Sequence, residues 1–415
     1  MRETLEQPNK FHHDLLKAWL TLRFNPSPQC LMAGHGLKQN ASRELSAEDF
    51  RSSRLTESAR DLRRELRQIL TEILASTVSS MPEGERIGVL SSGGIDSTAV
   101  IALLVSLGAR PEAFTIGFDG ENDEVESASE AAMFLRVPHH VKLLRDVLGS
   151  TGPANRDLAE PYRGACYYYD ALKFVKDSGF KYVFDGLGVD EFFGGYDFRY
   201  RRILGLKASG MDPLEAYLSG AHSNDYVDSD SELFGEKLKR RRIRWDQLFS
   251  YFENDLSFLD QIFLADYNGK CRQNFIPLGN LASTLGIRVY YPWLDDRLID
   301  FSLTVPSMYK FDQSSGRTKI LFREAMKDLL PQSTMEKQKQ GFGPMPGKVR
   351  DELCSLAPQA VLDGCMVSNQ FVNREYYAKI LRTKQPSSLE LNKLWDLYTL
   401  EIFLKEKGGN WVTSR

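Results

Sequence analysis

Nowhere does the 415-residue chain hold an apolar run near the ~20 residues that a membrane-spanning helix needs; Ile101 to Leu107 is among its longest. The opening stretch, MRETLEQPNKFHHDLL, lacks the apolar core of a secretion signal. Five cysteines (Cys30, Cys166, Cys271, Cys354 and Cys365) are scattered without any CxxC spacing. That argues against a cysteine-ligated zinc and fits a reduced, cytoplasmic setting. Neither sign of charge prevails: 53 Lys plus Arg stand against 56 Asp plus Glu, a formal net charge of -3. Such a balance argues against a surface devoted to nucleic acid or membrane. Internal repeats and low-complexity tracts are absent too. What the chain does have is 42% apolar residues, too many for intrinsic disorder and enough for a large core.

Residues 1–55 read as irregular, with FNPSPQ and AGHG marking turns. From Glu57 to Val78, Leu62, Leu66, Ile69, Ile73 and Leu74 recur at helical spacing. Strands and helices then alternate. Strands are expected at Arg86–Leu90, Glu112–Phe118, His139–Leu143 and Tyr182–Phe184, with helices at Ser97–Leu107, Glu124–Leu135 and Tyr167–Lys176. This alternation predicts an α/β fold with a parallel sheet and helices on both faces, joined by right-handed crossovers. Beyond Arg199 the pattern is mostly helical, over Pro213–Leu218, Trp245–Phe263, Lys319–Leu329 and Leu389–Leu404. KLKRRRIRW, at 237–245, is the one strong basic run; it reads as a solvated or anion-facing helix.

Two Gly-rich loops follow strands, at 91–97 and 185–196. In a parallel sheet both belong at the carboxyl ends, facing one crevice. In Ser91-Ser92-Gly93-Gly94-Ile95-Asp96-Ser97 the glycines let backbone approach an anion, while the hydroxyls and helix amides are donors for phosphate oxygens. An aspartate in such a turn repels phosphate unless a cation lies between them, so Asp96 reads as a Mg²⁺ ligand. The loop lacks the lysine and spacing of GxxxxGK[ST], so an ordinary P-loop is excluded.

SGGxDS here resembles the signature of the N-type ATP pyrophosphatases, and further motifs resemble the asparagine synthetases within that group. They are DGLGVDEFFGGY at 185–196, YPWLD at 291–295, KILFR at 319–323 and KQKQGF at 337–342, with Phe114–Phe118 and the His139–His140 pair also matching in place. The resemblance covers roughly 55–345 and implies an adenine nucleotide α-hydrolase-like fold. It also implies an ATP-dependent carbon–nitrogen ligase that forms an acyl-adenylate, releases AMP and pyrophosphate, and closes an amide with ammonia or an amine. On this resemblance Ser91, Ser92, Gly93, Gly94, Ser97 and Gly186 hold ATP and its pyrophosphate, and Asp96 and Asp190 coordinate Mg²⁺. Leu90, Thr115 and Ile116 border adenine, while Lys319, Lys339, Asp190 and Glu191 are the catalytic candidates. Lys337 is expected to point elsewhere and matter less, and the two histidines to end a strand rather than catalyse.

The chain also departs from that pattern. Asparagine synthetases carry Glu, and β-lactam-forming relatives Tyr, where this chain has Leu187, which neither takes a proton nor binds an amine. The family's DRxSM segment is missing near Phe275–Asn280. Residue 2 is Arg where a glutaminase nucleophile would be Cys, and Ala18–Pro26 resembles the linker that follows the glutaminase domain. The expected organisation is a linker-like segment (1–55), a synthetase domain (56–345) and a helical extension (346–415). Expected partners are a small-molecule or peptide carboxylate and an amine or ammonia, the ammonia either free or supplied by a separate glutaminase, with a homodimer as a further possibility. Other readings are an intramolecular closure like that of β-lactam synthetases and lasso-peptide cyclases, and an RNA-modifying pyrophosphatase. Purified chain incubated with glutamine is expected to release no glutamate; release would overturn the missing-glutaminase reading.

Overall fold

The structure, a computed structural model, describes residues 13–407 apart from 23–43, 51–57, 119–122, 159, 222–225, 229–230, 244 and 338–345. Five parallel strands, β1 (Ile87–Leu90), β2 (Pro111–Phe118), β3 (His139–Leu144), β4 (Tyr182–Phe184) and β5 (Arg288–Tyr290), form one sheet in the order β3-β2-β1-β4-β5. The chain winds outward from β1 to β3, then returns and lays β4 on the other side of β1. That reversal opens a crevice beyond the carboxyl ends of β1 and β4.

Strand side chains alternate between two cores, as a period of two requires. Ile87, Val89, Ala113 and Phe184 pack with the helices Ala59–Ser79 and Ile95–Ser106 on one face. Phe114 and Val183 pack with the helices Ala165–Asp177 and Arg272–Thr284 on the other. Ile95–Ser106 is apolar nearly all round because it is covered on every side. Helices on both faces of a parallel sheet are therefore borne out.

Three sequence expectations change. The first concerns residues 1–55, where Leu16, Trp19 and Leu20 of a helix, His13–Leu22, join the carboxyl-terminal helices in a third core. Lys393, fully buried, donates to the last carbonyls of that helix at Leu20 (2.6 Å) and Thr21 (3.2 Å). The second concerns the single helix expected over Trp245–Phe263, which is two, Asp246–Ser250 and Phe258–Asp266. Asn254 breaks it by bonding back to Tyr251 O and forward to Leu256 N, and Ser257 then caps the second piece through Asp260 N. The third helix, expected over Lys319–Leu329, is Ile320–Met326, with Lys319 at its cap.

The basic run forms a short helix, Glu236–Lys239, followed by exposed Arg240, Arg241 and Arg242. Buried Lys17 donates to the carbonyls of Lys239 and Arg241 beneath them.

Lys310 is 2% exposed and lies 5.1 Å from the centre of the Phe263 ring, beside a small void that Glu191, Tyr267 and Ser302 also line. Burial pushes its ammonium down to about 8, against the pull of Asp260. A lysine depressed in the fold penalises folding wherever it is charged. The penalty is full below pH 8 and gone once the unfolded lysine also loses its proton, near pH 10.4. Lys310→Met is expected to raise stability by about 1–3 kcal/mol at pH 7 and by nearly nothing at pH 10.5. Paired denaturation curves of the two proteins at each pH check the sign and the window.

Candidate active site

The loop that leaves β1 runs through Gly94, the N-cap of helix Ile95–Ser106, and no side chain caps that helix. Its first amides therefore open on the crevice. The loop is held by long internal bonds. Ser97 Oγ donates to Gly94 O and accepts from Ser92 N, both at 3.3 Å, and Gly94 N donates to Ser92 Oγ at 3.4 Å. Ser91 is 6% exposed and its Oγ has no partner among the described residues, an orphan that a ligand would satisfy.

After β4, residues 185–188 lead into the short helix Val189–Phe193. Gly186 lies flat on the first loop: a Cβ there would stand 2.7 Å from both Asp96 C and Ser97 N. The missing side chain is what lets the two loops touch, and their contact brings two aspartates together. Both converge on one ammonium. Lys319 Nζ lies 2.8 and 2.6 Å from the two oxygens of Asp96 and 2.5 Å from Asp190 Oδ1. The lysine side chain is 2% exposed. Its backbone is left-handed (φ 52, ψ 37), which costs a residue other than glycine roughly 1–2 kcal/mol. Strain of this kind persists only where neighbours impose it. Here the two carboxylates do so, together with Arg323 N donating to Lys319 O at 2.8 Å.

The remaining motifs close around this cluster. Trp293 Nε1 donates to Asp96 O at 3.3 Å. The Arg323 guanidinium bonds the carbonyls of Thr318 (3.1 Å), Met335 (2.5 Å) and Lys337 (3.5 Å), clamping the start of the 337–342 motif to the helix that begins after Lys319. Burial lowers this arginine's pKa against the opposing pull of Asp96 and Asp190. Lys337 does not point away, as expected from sequence: its Nζ donates to Ser92 O at 3.3 Å. The tether through Arg323, invisible in sequence, turns it inward. Lys339 lies outside the described residues.

β1 ends at Leu90, opposite Phe114, so Thr115 and Ile116 run past it on the crevice side. Their side chains are buried, and Thr115 Oγ1 donates to Ser91 O at 2.7 Å. His139 opens β3, its Nε2 is 2.8 Å from that hydroxyl, and burial lowers its pKa, so it braces Thr115 as a neutral ring. His140 pairs with Glu112 and stacks on Phe114. Glu191 turns toward Tyr196, whose hydroxyl donates to it at 2.8 Å, and toward the void beside Lys310. Sequence reasoning assigned nothing to Tyr168, Tyr291 or Asp185, which hydrogen-bond together at the same sheet edge. Asp185 and Tyr291 carried a signal, the first as the residue that opens the second loop directly after a strand and the second as the first residue of the YPWLD motif; Tyr168 carried none.

With the geometry in view, comparisons give the following. A family model described as Asparagine synthase matches residues 65–405. The chain is 22% identical over 365 residues to the glutamine-hydrolysing asparagine synthetase 1 of Bacillus subtilis, covering 77% of this chain and 55% of that one. To asparagine synthetase B of Escherichia coli it is 23% identical over 332 residues, covering 74% and 49%. The chain spans about half the length of these curated relatives. The solved NMN synthetase from Francisella tularensis overlaps it with a TM-score of 0.24 and 11% identity, over 55% of this chain and 94% of that one, too loosely to carry an argument.

Gly186→Ala places a methyl group against peptide backbone that cannot yield. It is expected to destabilise the protein by about 1–3 kcal/mol and to weaken ATP binding at least tenfold. Gly205→Ala, in the helix Asp197–Ala208 with nothing within 4 Å of the added atom, should instead stabilise by about 0.5–1 kcal/mol. Denaturant midpoints and ATP titrations of both variants test the loop contact.

Proposed function

The chain belongs to the asparagine synthase family, and from that premise we propose that it is an ATP-dependent ligase that forms amides. The observation that carries this reading is the meeting of the two Gly-rich loops on Lys319. Two carboxylates and one ammonium leave a net negative charge under a row of helix amides. Such a site suits a polyphosphate with its cation: the amides and lysines would take phosphate oxygens, and the aspartates would hold the metal. Among the described residues no cluster of three or more metal-ligating side chains exists. Two converging aspartates nevertheless fit Mg²⁺, which is commonly held by one or two carboxylates with substrate phosphates completing its shell. Asp96 and Asp190 would hold it, and it would neutralise phosphate charge.

In this reading a substrate carboxylate attacks the α-phosphate of ATP, pyrophosphate leaves, and an amine then displaces AMP from the acyl-adenylate. Lys319, held between the two aspartates, would supply the positive charge that pyrophosphate needs as it leaves. Lys337, on the carbonyl of Ser92, adds a second cation at the same loop. Lys339 is assigned by its motif alone, as the cation for the oxyanion formed when the amine adds. Glu191 supports the helix that carries Asp190 through Tyr196. The acceptor is ammonia, supplied free or by a separate glutaminase, or an amine. Leu187 offers no charge to a free amino acid, which favours a substrate that carries carboxylate and amine on one molecule.

Asp96→Asn and Asp190→Asn are each expected to lower Mg²⁺-dependent AMP and pyrophosphate release at least a hundredfold while the melting temperature moves little. The assay runs candidate carboxylates with and without ammonium. Wild-type turnover in both variants would overturn the metal assignment.

A further inference from the structure

An amine that adds to an activated acyl carbon must shed a proton before the amide is stable. The carboxylates already described are engaged: Asp96 and Asp190 bind Lys319, and Glu191 faces Tyr196. Leu187 has nothing to offer. Beside it, however, three polar side chains from three elements form a hydrogen-bonded row. Tyr168, on the helix Ala165–Asp177, donates to Asp185 Oδ2 at 2.9 Å. Its oxygen also lies 3.0 Å from the hydroxyl of Tyr291, the residue that follows β5.

A phenol has one hydrogen. Tyr168 gives its own to Asp185, so the second bond carries the hydrogen of Tyr291, and the row runs from Tyr291 through Tyr168 to Asp185. Asp185 Oδ1 accepts from Leu187 N at 3.2 Å, which ties the end of the row to the loop between the two sites. Tyr168 is 5% and Asp185 8% exposed, while Tyr291 is half-buried just after β5, at the carboxyl end of the sheet, the end at which parallel sheets bind ligands.

We infer that Tyr291, Tyr168 and Asp185 form a proton relay that takes the proton from the attacking amine, replacing the proton-transfer group that Leu187 cannot supply. The inference rests on the amide-forming reading above. The nitrogen lone pair forms the C–N bond and the acyl C–O bond to phosphate breaks, its electron pair leaving with AMP. The nitrogen's proton passes to the Tyr291 oxygen, that of Tyr291 to Tyr168, and that of Tyr168 to Asp185, which ends neutral and later returns the proton to water. Burial and the neighbouring carboxylate raise the pKa of both phenols. They therefore act as conductors that stay neutral, and the carboxylate is the acceptor. Tyr291 is the catalytic residue; Tyr168 and Asp185 act through it.

The test separates the two half-reactions in the full chain. Adenylation is read as MgATP–pyrophosphate exchange over a panel of carboxylates headed by L-aspartate. Amide formation is read in single turnovers with ammonium chloride, or by cyclised product where the substrate carries its own amine. In Tyr168→Phe and Asp185→Asn, exchange should stay within about threefold of wild type while amide formation falls about a hundredfold. Hydroxylamine, a weaker base whose adduct sheds its proton unaided, should restore hydroxamate formation in both variants. A purely structural role would not produce that rescue. Amide formation that falls only in step with exchange, or that is unchanged, or that hydroxylamine fails to rescue, would overturn the relay. Absence of exchange in wild type with every carboxylate would overturn the amide-forming reading and the relay with it.

Discussion

A single buried ammonium organises the crevice. Lys319 draws Asp96 and Asp190 within 2.8 Å of one nitrogen, and so fixes the loop after β1, the loop after β4 and the segment before Ile320 against one another. The two like charges could not share that space alone. Removing the lysine would leave two buried carboxylates uncompensated, a loss that commonly costs about 3–5 kcal/mol, whereas removing one carboxylate leaves the ammonium paired with the other. The same arithmetic makes the cluster responsive. With two negative charges and one positive, it has room for a further cation, and the lysine can then move toward an anion.

Everything around the cluster serves its geometry. Gly186 permits the contact of the loops, and Gly195 leaves space beside the lysine, since a Cβ there would stand 2.7 Å from Lys319 Cε. Trp293 fixes the peptide at Asp96, and Arg323 ties the lysine's helix to the 335–337 segment. The strained backbone at Lys319 is held by these neighbours rather than by its own preference. The Tyr291–Tyr168–Asp185 row adjoins the cluster through the four residues 186–189 that separate Asp185 from Asp190. In the proposed reading, charge on phosphate and the proton of the amine would thus fall to separate groups at adjacent points of one sheet edge.

Much of the fold was legible because the β-strands and their helices differ in period, and because each Gly-rich loop directly follows an apolar strand. The helix break at Asn254 was not legible from apolar spacing, since a side chain that bonds backbone leaves that spacing intact. Helix His13–Leu22 was missed for the opposite reason. It is short, and it is held from outside, by a cap from Lys393 that lies more than 370 residues away in the chain.

The sequence by itself determined which residues are candidates for chemistry: the serines and glycines of 91–97, Asp96, Asp190 and Lys319 each stand in a short motif whose spacing is local. Only the tertiary structure decided what each of them touches. That Lys319 binds both aspartates, that Lys337 turns onto Ser92, and that Tyr168 joins Asp185 to Tyr291 all depend on contacts between separate segments. A motif records the residues of one stretch of backbone. Distances between stretches are set by how strands pair and helices pack, and no spacing within a motif contains them.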